Sequence, residues 1–336
     1  MRSSPLVGSA QDPALPSQSP VVWLVVSSFR HDREIATMLE GVQNLPSQLF
    51  SRILIVDSLG TGEIPKLIAR RGWQNVVYYS YDHNLGSAGN LSERLRLAAE
   101  AGADLAYALN HDGHVQPEVV RSLLKHAMRL PHLGAIYPLA YKSRAAAYNI
   151  TGTRDLPLPA KLVQEKPRGE LIDVYWSSSN GALYTMEPVR AGLLPWSELW
   201  MGWEDLEYGW RLTDHDYRQV MACDAVFIDN YEYVRLPPWL GSCRLVDKPA
   251  WTTYYSIRNL VLVTRRTRPV MKFAAVTAMR VLQQCFLILL FRRNKILRLL
   301  CLLAGLIDGL RNRTGKWILP KDTVAVPSSP IRSTAP

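Results

Sequence analysis

Cysteine is scarce in this chain of 336 residues, and its pattern excludes several classes of protein. The four cysteines are Cys223, Cys243, Cys285 and Cys301, and no two of them form a C-x-x-C pair. Such wide spacing argues against a zinc site and against a disulfide-stabilised scaffold. It fits a protein of a reducing compartment.

The N-terminus lacks the basic start and apolar core of a secretory signal. Residues 1–20 are instead rich in Ser, Pro and Gln and predict a disordered tail. The Pro- and Ser-rich residues 321–336 predict a second one. We expect a catalytic domain over residues 21–245 and a helical, membrane-associating region over residues 246–320.

Acidic residues are fewer than basic ones, 29 against 39, which gives a net charge of +10. This charge favours an anionic partner such as a membrane surface, a nucleic acid or a phosphorylated substrate. Many of the basic residues follow Arg258 in an apolar region, so an anionic membrane surface is the partner we expect. They lie among aliphatic rather than stacking aromatic residues, and we expect no nucleic acid partner.

Short apolar runs alternate with amphipathic ones from Val21 to Leu139. Such alternation predicts a mostly parallel sheet with helices on both faces, and ligands bind such sheets at the carboxyl ends of the strands. The predicted strands are Val21–Val26, Ile53–Val56, Val76–Tyr79, Leu105–Leu109 and Ala135–Leu139. The predicted helices are Asp32–Leu45, Glu63–Arg71, Ser87–Ala101 and Pro117–Leu130.

The middle of the chain has a less regular pattern. Residues 144–170 contain several prolines and predict a loop. Leu171–Trp176 and Gly181–Tyr184 predict a pair of strands around the polar turn Ser177–Asn180. A helix beginning near Trp203 and a strand over Val220–Asp229 follow.

The C-terminal region changes in character. Phe273–Phe291 just reaches the roughly 20 apolar residues that a bilayer span requires, but Arg280 and two glutamines lie near its middle. We therefore expect two amphipathic helices on the membrane surface, folded at the basic run Arg292–Lys295. A true membrane span and an ordinary packed helical subdomain are the alternatives.

Two acidic clusters lie about ninety residues apart, Leu109–Gly113 and Trp203–Glu207. Carboxylates at the end of a buried strand are costly unless they hold a cation or move a proton. Asp112 is a candidate ligand for a hard divalent cation that bridges two phosphates. Its neighbour His111 could also ligate the cation, but we expect the His111 ring to point away. The two clusters together predict an enzyme that binds a metal–diphosphate and activates a hydroxyl.

Three other strand ends carry small or polar residues that suit a nucleotide. Ser27–Arg30 follows the first strand and Asp57–Gly60 the second, although each could be only a helix cap or a turn. Asn84–Asn90 follows the third, and its glycines would let the backbone approach a nucleotide. This segment is not the dinucleotide-binding fingerprint, which follows the first strand and begins with a glycine.

These segments, in this order, resemble the inverting family 2 glycosyltransferases, which have the GT-A fold, over Val21 to Asn230. The resemblance implies that an Asp matching Asp57 holds the base and ribose, and that Asn110-His111-Asp112 is a D-x-D variant that binds the metal and diphosphate. The donor-binding residues that it implies are Ser28, Arg30, Asp57, Asn84, Gly86, Asn110 and Asp112.

Trp203-Glu204-Asp205-Leu206-Glu207 is similar to the W-[DE]-D-x-[DE] segment of rhamnosyl- and galactofuranosyltransferase-like members. The resemblance implies that Asp205 is the catalytic base, and Tyr254–Asn259 is similar to a further segment of such proteins. The candidate acceptor-binding residues are Trp176, Trp203, Glu204 and Glu207. Each tryptophan could instead belong to the core, and the glutamates could simply form ion pairs with residues such as Arg211.

The chain departs from the family pattern at two positions. Asn110 replaces the first aspartate of the D-x-D, and a histidine that ligates the metal in the family is missing near Asp229. Asp229 could substitute as a ligand of Mg²⁺ or Mn²⁺, or it could cap a turn.

The expected function is metal-assisted, inverting transfer of a sugar, hexosyl or deoxyhexosyl, from a nucleotide-diphosphate donor to a glycan or lipid-linked acceptor. The expected location is peripheral, on the cytoplasmic face of the cell membrane, in cell envelope polysaccharide biosynthesis. A nucleotidyltransferase and a catalytically inactive, membrane-bound binding protein are the alternatives.

Overall fold

The structure is a computed structural model that describes residues 19–45, 49–158, 161–229, 234–235, 244–245 and 248–318. The tail predicted for residues 321–336, and nearly all of that predicted for residues 1–20, lie outside the described residues.

The strands are β1 Val22–Ser28, β2 Arg52–Ser58, β3 Val76–Tyr81, β4 Leu105–Leu109, β5 Leu133–Lys142, β6 Ala147–Ile150, β7 Lys161–Val163, β8 Leu171–Asp173, β9 Ala182–Thr185, β10 Arg218–Asp229, β11 Val234–Arg235 and β12 Arg244–Leu245. The helices are α1 Asp32–Gln43, α2 Glu63–Arg71, α3 Gly86–Glu100, α4 Pro117–Ala127, α5 Glu187–Arg190, α6 Glu204–Asp214, α7 Trp251–Thr267, α8 Val270–Phe291 and α9 Lys295–Leu310. Short 3₁₀ turns lie at Ser143–Ala145 and Ser197–Leu199.

The main sheet has the strand order β3-β2-β1-β4-β9-β5-β10-β8, with β6 paired to β5 and β7 paired to β6. Strands β3, β2, β1 and β4 are parallel to one another, and β10 is parallel to β5. Strand β9 runs antiparallel between β4 and β5. The prediction of a mostly parallel α/β sheet is therefore confirmed.

Helices cover both faces of this sheet, which explains why its central strands are continuous apolar runs. Alternate residues of β1 point to opposite faces. Leu24 packs in a cluster that includes residues of α1, α2 and α4, and Val25 in one that includes residues of α3, α5 and α6. Since the helical and strand periodicities are local, every element predicted between Val21 and Leu139 is present, with ends shifted by up to three residues.

Two predictions for the middle of the chain are wrong. Residues 144–170 are not only a loop, because they contain the antiparallel strands β6 and β7. The segments around the turn Ser177–Asn180 do not pair with each other either. Strand β8 pairs with β10, and β9 inserts between β4 and β5. Ala182, Leu183 and Tyr184 are all buried, so both faces of β9 are covered, as suits a central strand.

The C-terminal helices begin with α7, which packs directly on the sheet domain. Its Leu262 and Val263 share an apolar cluster with Leu206 and Trp210 of α6. Helix α9 lies very close to α7, because a Cβ on Gly305 would lie 2.5 Å from the carbonyl oxygen of Tyr254. The boundary predicted at residue 245 stays a prediction, but α6 and α7 share one apolar cluster.

Helix α8 lies on the outside, and Val276 and Ile288 are its only buried residues. The helical conformation is interrupted between α8 and α9. This interruption lies at the basic run where a fold between two helices was predicted. Within the described ranges, α8 is the one helix long and apolar enough to cross a membrane.

Candidate active site

The carboxyl ends of β1, β2 and β4 meet at one edge of the sheet. Ser28 and Asp57 are register partners at the ends of β1 and β2. The hydroxyl of Ser27 donates a hydrogen bond of 3.3 Å to Oδ1 of Asn110, which follows β4. Three of the strand ends that the sequence singled out are thus brought together.

Asp57 is fully buried at this edge, and the hydroxyl of Tyr78 donates a 2.9 Å hydrogen bond to its Oδ2. Burial raises the pKa of Asp57, and the bond from Tyr78 opposes that rise. The hydroxyl of Ser28 also lowers the pKa of Asp57, but neither this buried hydroxyl nor the other carboxylate oxygen makes a hydrogen bond of normal geometry among the described residues. Buried polar groups without partners are rare, so this pair has unused capacity to bind a polar group.

Asn84 and Gly86 contribute to the site's framework. Oδ1 of Asn84 accepts a 2.8 Å hydrogen bond from the backbone amide of Gly86. The backbone carbonyl of Asn84 accepts a 3.2 Å hydrogen bond from Nε1 of Trp200. Gly86 has a φ of +69°, and a Cβ there would lie 2.0 Å from the carbonyl oxygen of Trp200. In this structure the glycine allows the start of α3 to lie against the loop that leads to α6.

The turn Ser177–Gly181 joins the two acidic clusters. Oδ1 of Asn180 accepts a 3.0 Å hydrogen bond from the amide of Asn110. The amide of Ser179 donates a 3.2 Å bond to Oδ1 of Asp205. Because β9 lies beside β4, the turn before β9 reaches the end of β4 and the start of α6 together. The sequence marked this polar turn, but not its role in the site.

Asp205 lies in the first turn of α6 and is partly buried. Burial raises its pKa to about 7, with a further contribution from the negative charge of Glu204. The bond from Ser179 and the positive charge of Arg94 act in the opposite direction. A carboxylate with a pKa near the working pH is well matched to proton transfer.

Arg94 is a buried residue of α3 that the sequence analysis missed. Its Nη1 donates to the carbonyls of Val25 at 3.1 Å and Leu109 at 2.8 Å, which anchors it beneath β1 and β4. Burial lowers its pKa to about 10, and the charges of Asp205 and Glu204 oppose that change. The available signal was an arginine on the apolar face of α3, between Leu91 and Leu95.

Asp112 is exposed at this edge. Beside it, the ring of His111 stacks on that of His31, with centroids 3.6 Å apart, so His111 is engaged with the start of α1. Burial, followed by the charge of His31, lowers the pKa of His111. Arg30 lies with its guanidinium over the ring of Phe29.

Asp229 forms an ion pair with Lys142, its register partner at the end of β5. An ammonium group already pairs with this carboxylate, and the role of Asp229 as a metal ligand stays a prediction. No group of three His, Cys, Asp or Glu side chains in the described ranges could hold a metal ion. Asp112 alone fits a divalent cation that is bound mainly by a diphosphate.

The candidate acceptor residues differ in their surroundings. Glu207 is buried, accepts a 3.0 Å bond from the amide of Trp196 and lies 3.1 Å from Nε of Arg211. It therefore takes the ion-pair role that was the alternative, because these contacts occupy its carboxylate. Glu204 differs, since its buried Oε2 has no hydrogen-bond partner among the described residues.

Trp203 forms part of the contact between α6 and the C-terminal helices. It has a φ of +69°, its Nε1 donates a 2.7 Å bond to the carbonyl of Ser256 in α7, and its ring contacts Trp176 edge-on at 6.4 Å. Both tryptophans are partly buried, so the structure gives them a packing role and leaves part of each surface accessible.

The fold matches solved glycosyltransferases. Over 74% of this chain and 48% of the other, it resembles GalNAc-T7 with UDP, GalNAc and Mn²⁺, at 12% identity and a TM-score of 0.54. The mannosyltransferase PcManGT from Pyrobaculum calidifontis with GDP-Man and Mn²⁺ matches over 89% of both chains, at 13% identity and a TM-score of 0.50. S. aureus TarS 1–349 with UDP-GlcNAc matches over 86% of this chain and 81% of TarS, at 10% identity and a TM-score of 0.52.

The chain has the GT-A fold. It spans about half the length of GalNAc-T7 and most of the other two proteins. No protein-family model matches it, and no curated protein sequence matches it. The GT-A fold by itself does not determine the sugar, the acceptor or the stereochemistry, which depend on the residues of the site.

Proposed function

We propose that this protein is an inverting glycosyltransferase that uses a nucleotide-diphosphate sugar as donor, with Asp205 as the catalytic base. The observation that carries the proposal is the turn Ser177–Gly181. Its Asn180 binds the end of β4 and its Ser179 binds Asp205, so the candidate diphosphate and proton-transfer groups face the same edge of a GT-A sheet.

The donor would lie along the ends of β1, β2 and β4. The unpaired oxygen of Asp57 and the hydroxyl of Ser28 have the capacity to hydrogen-bond the base or ribose. Asp112 and Asn110 lie where the diphosphate would follow. A divalent cation, which GalNAc-T7 and PcManGT contain as Mn²⁺, would neutralise charge on the departing diphosphate when bound at Asp112.

The reaction we propose is a single displacement. The acceptor hydroxyl attacks the anomeric carbon while Asp205 takes its proton, and the bond from that carbon to the diphosphate oxygen breaks. Burial and Glu204 keep the pKa of Asp205 at about 7, which makes it a stronger base than an ordinary carboxylate. The unpaired oxygen of Glu204 is available to orient an acceptor hydroxyl.

A rhamnosyl or galactofuranosyl donor is the finer proposal, and it rests on the resemblance of the Trp203–Glu207 segment.

The acceptor we propose is presented at the cytoplasmic face of the cell membrane, as in the synthesis of envelope polysaccharides. The support is the surface of α8 and α9, where large apolar side chains are exposed at helical spacing. They include Met279, Leu282, Phe286, Leu289, Ile296, Leu300, Leu303 and Ile307. The opposite side of α8 packs on α7, which suits a helix that lies in the membrane surface.

The variant Asp205→Asn tests the function. It should lower transfer by about a hundredfold to ten-thousandfold, which is the usual contribution of a general base, while keeping donor binding. Donor binding is measured as the rise in melting temperature with UDP- and GDP-sugars and Mn²⁺. Glu118→Gln, an exposed change on α4, is the matched control and should keep both properties. Full turnover by Asp205→Asn would overturn the assignment, and pyrophosphate release from a nucleoside triphosphate would favour a nucleotidyltransferase.

A further inference from the structure

A cavity lies between α7, α8 and the segment before residue 159, on the side of the molecule that carries the exposed apolar surface. Its lining is mostly apolar, with two polar side chains on α8, Arg280 and Gln283. Met279 belongs both to this lining and to the exposed surface, where its side chain is 48% exposed. The other lining residues are Pro157, Leu158, Leu260 and Val276.

Arg280 is a cation without a carboxylate partner among the described residues. Its Nη1 donates to Oε1 of Gln283 at 2.7 Å and its Nη2 to the hydroxyl of Ser256 at 3.4 Å, both neutral groups. Its buried Nε has no hydrogen-bond partner there, and neither does the buried hydroxyl of Thr277 on the same helix. A partly buried guanidinium surrounded by neutral groups is costly, and an anion would satisfy it.

The same arginine connects the cavity with the candidate active site. Its guanidinium lies over the ring of Trp203, 5.4 Å from the centroid. Trp203 immediately precedes Glu204 and Asp205, and Ser256 contacts both Trp203 and Arg280. A molecule whose anionic group binds Arg280 would therefore present its adjacent atoms toward the start of α6.

We propose that this cavity binds the phosphate-bearing head of a lipid-linked acceptor, with the lipid chain leaving along the apolar surface of α8. The proposal rests on the proposed glycosyltransferase function and narrows its acceptor to an amphipathic lipid phosphate. Apolar walls, one unpaired cation and an opening onto an exposed apolar helix face match a molecule with a charged head and a hydrocarbon tail.

The test is binding of dodecyl phosphate below its micellar concentration, followed by tryptophan fluorescence because Trp203 lies against Arg280. The full chain should bind dodecyl phosphate, and Arg280→Gln should weaken this at least about tenfold. Arg280→Lys should recover part of the loss. The matched control Arg293→Gln removes an exposed cation of the basic run and should leave the affinity unchanged.

Three results would overturn the proposal, and none depends on a nucleotide sugar. Unchanged binding of dodecyl phosphate by Arg280→Gln would show that Arg280 does not bind the phosphate group. Equal binding of inorganic phosphate would indicate a site for free phosphate, and equal binding of dodecyl maltoside would indicate an apolar groove without anion recognition. Failure of the glycosyltransferase function would appear separately, as absence of transfer and of donor-induced thermal stabilisation in the unmodified protein. The second variant Met279→Glu, at an exposed position, should also weaken dodecyl phosphate binding.

Discussion

Asp205 illustrates how a few neighbours set the chemistry of one side chain. Burial and the adjacent Glu204 favour its protonated form, whereas the amide of Ser179 and the guanidinium of Arg94 favour the carboxylate. Because the first two effects are larger, the pKa rises from 3.8 to about 7. At neutral pH the group can therefore both accept a proton and release it, as the proposed base must.

The raised pKa of Asp205 predicts a dependence of stability on pH. A carboxyl with a raised folded-state pKa stabilises the fold most at low pH, and this contribution is lost as the pH rises toward about 7. Asp205→Asn removes the titration, so its melting temperature relative to the unmodified protein should increase between pH 5 and pH 8. The corresponding change in the free energy of unfolding between these two pH values is about 2–3 kcal/mol, because one pKa unit corresponds to about 1.4 kcal/mol. A difference that stays constant over this range would contradict the raised pKa.

The position of Asp112 predicts that a divalent metal strengthens donor binding. Since Asp112 is the exposed carboxylate at the proposed diphosphate position, Asp112→Ala should remove the extra thermal stabilisation that Mn²⁺ adds to nucleotide-sugar binding. Asp229→Ala should not remove that metal effect, because its carboxylate pairs with Lys142. Metal-enhanced donor binding that survives in Asp112→Ala would contradict the assignment.

At the scale of elements, α7 anchors the loop that leads into α6, on which the proposed base lies. The side-chain amide of Asn259 donates to the carbonyls of Leu199, Met201 and Gly202, at 3.0, 2.8 and 2.8 Å. Arg258, fully buried beside it, donates to Leu199 as well, at 2.8 Å. These bonds fix the loop that leads into α6, which gives the Tyr254–Asn259 segment a physical role.

Asn259→Ala should therefore affect both stability and transfer. It leaves three carbonyls with fewer donors, which should lower the free energy of unfolding by about 1–3 kcal/mol. Transfer should fall at least about tenfold because Asp205 loses its fixed position, whereas donor binding should persist. Denaturant unfolding and transfer assays measure both, with the exposed Asn44→Ala as control. Transfer at the unmodified rate would show that the loop does not position the base.

At the scale of the whole molecule, charge is segregated along the chain. Residues 258–318 contain 13 basic residues and one acidic residue, Asp308, while the rest of the chain contains 26 basic and 28 acidic residues. The same segment carries the exposed apolar faces of α8 and α9. Positive charge beside exposed apolar surface is the combination that binds anionic membranes.

Substitutions test this surface better than removal of the segment, because α9 packs on α7 and its loss would uncover the core. Leu300→Glu with Leu303→Glu, both exposed on α9, should reduce binding to vesicles containing anionic lipid at least about tenfold. Val21→Glu with Tyr79→Glu adds the same charge at exposed positions of the sheet domain and is the matched control. Flotation with vesicles measures binding. An equal loss of vesicle binding in both double variants would show that net charge, and not the apolar surface of α9, determines the effect.

The local pattern of this sequence determined the alternating elements from β1 to β5 and the polar residues at their ends. It could do so because helical and strand periodicity and strand termini are properties of neighbouring residues. The sequence also indicated that these polar residues lie at one edge of the sheet, because parallel strands have their carboxyl ends at the same edge.

Only the tertiary structure decided that β9 inserts beside β4, that Ser179 and Asn180 join the two acidic clusters, and that Arg94 lies beneath the site. These contacts join residues far apart in the chain. The same holds for the pairing of Asp229 with Lys142, and for the pKa of Asp205. Burial and the distant partners Ser179 and Arg94 help to set the pKa of Asp205, and only the charge of Glu204 can be read from the adjacent residue.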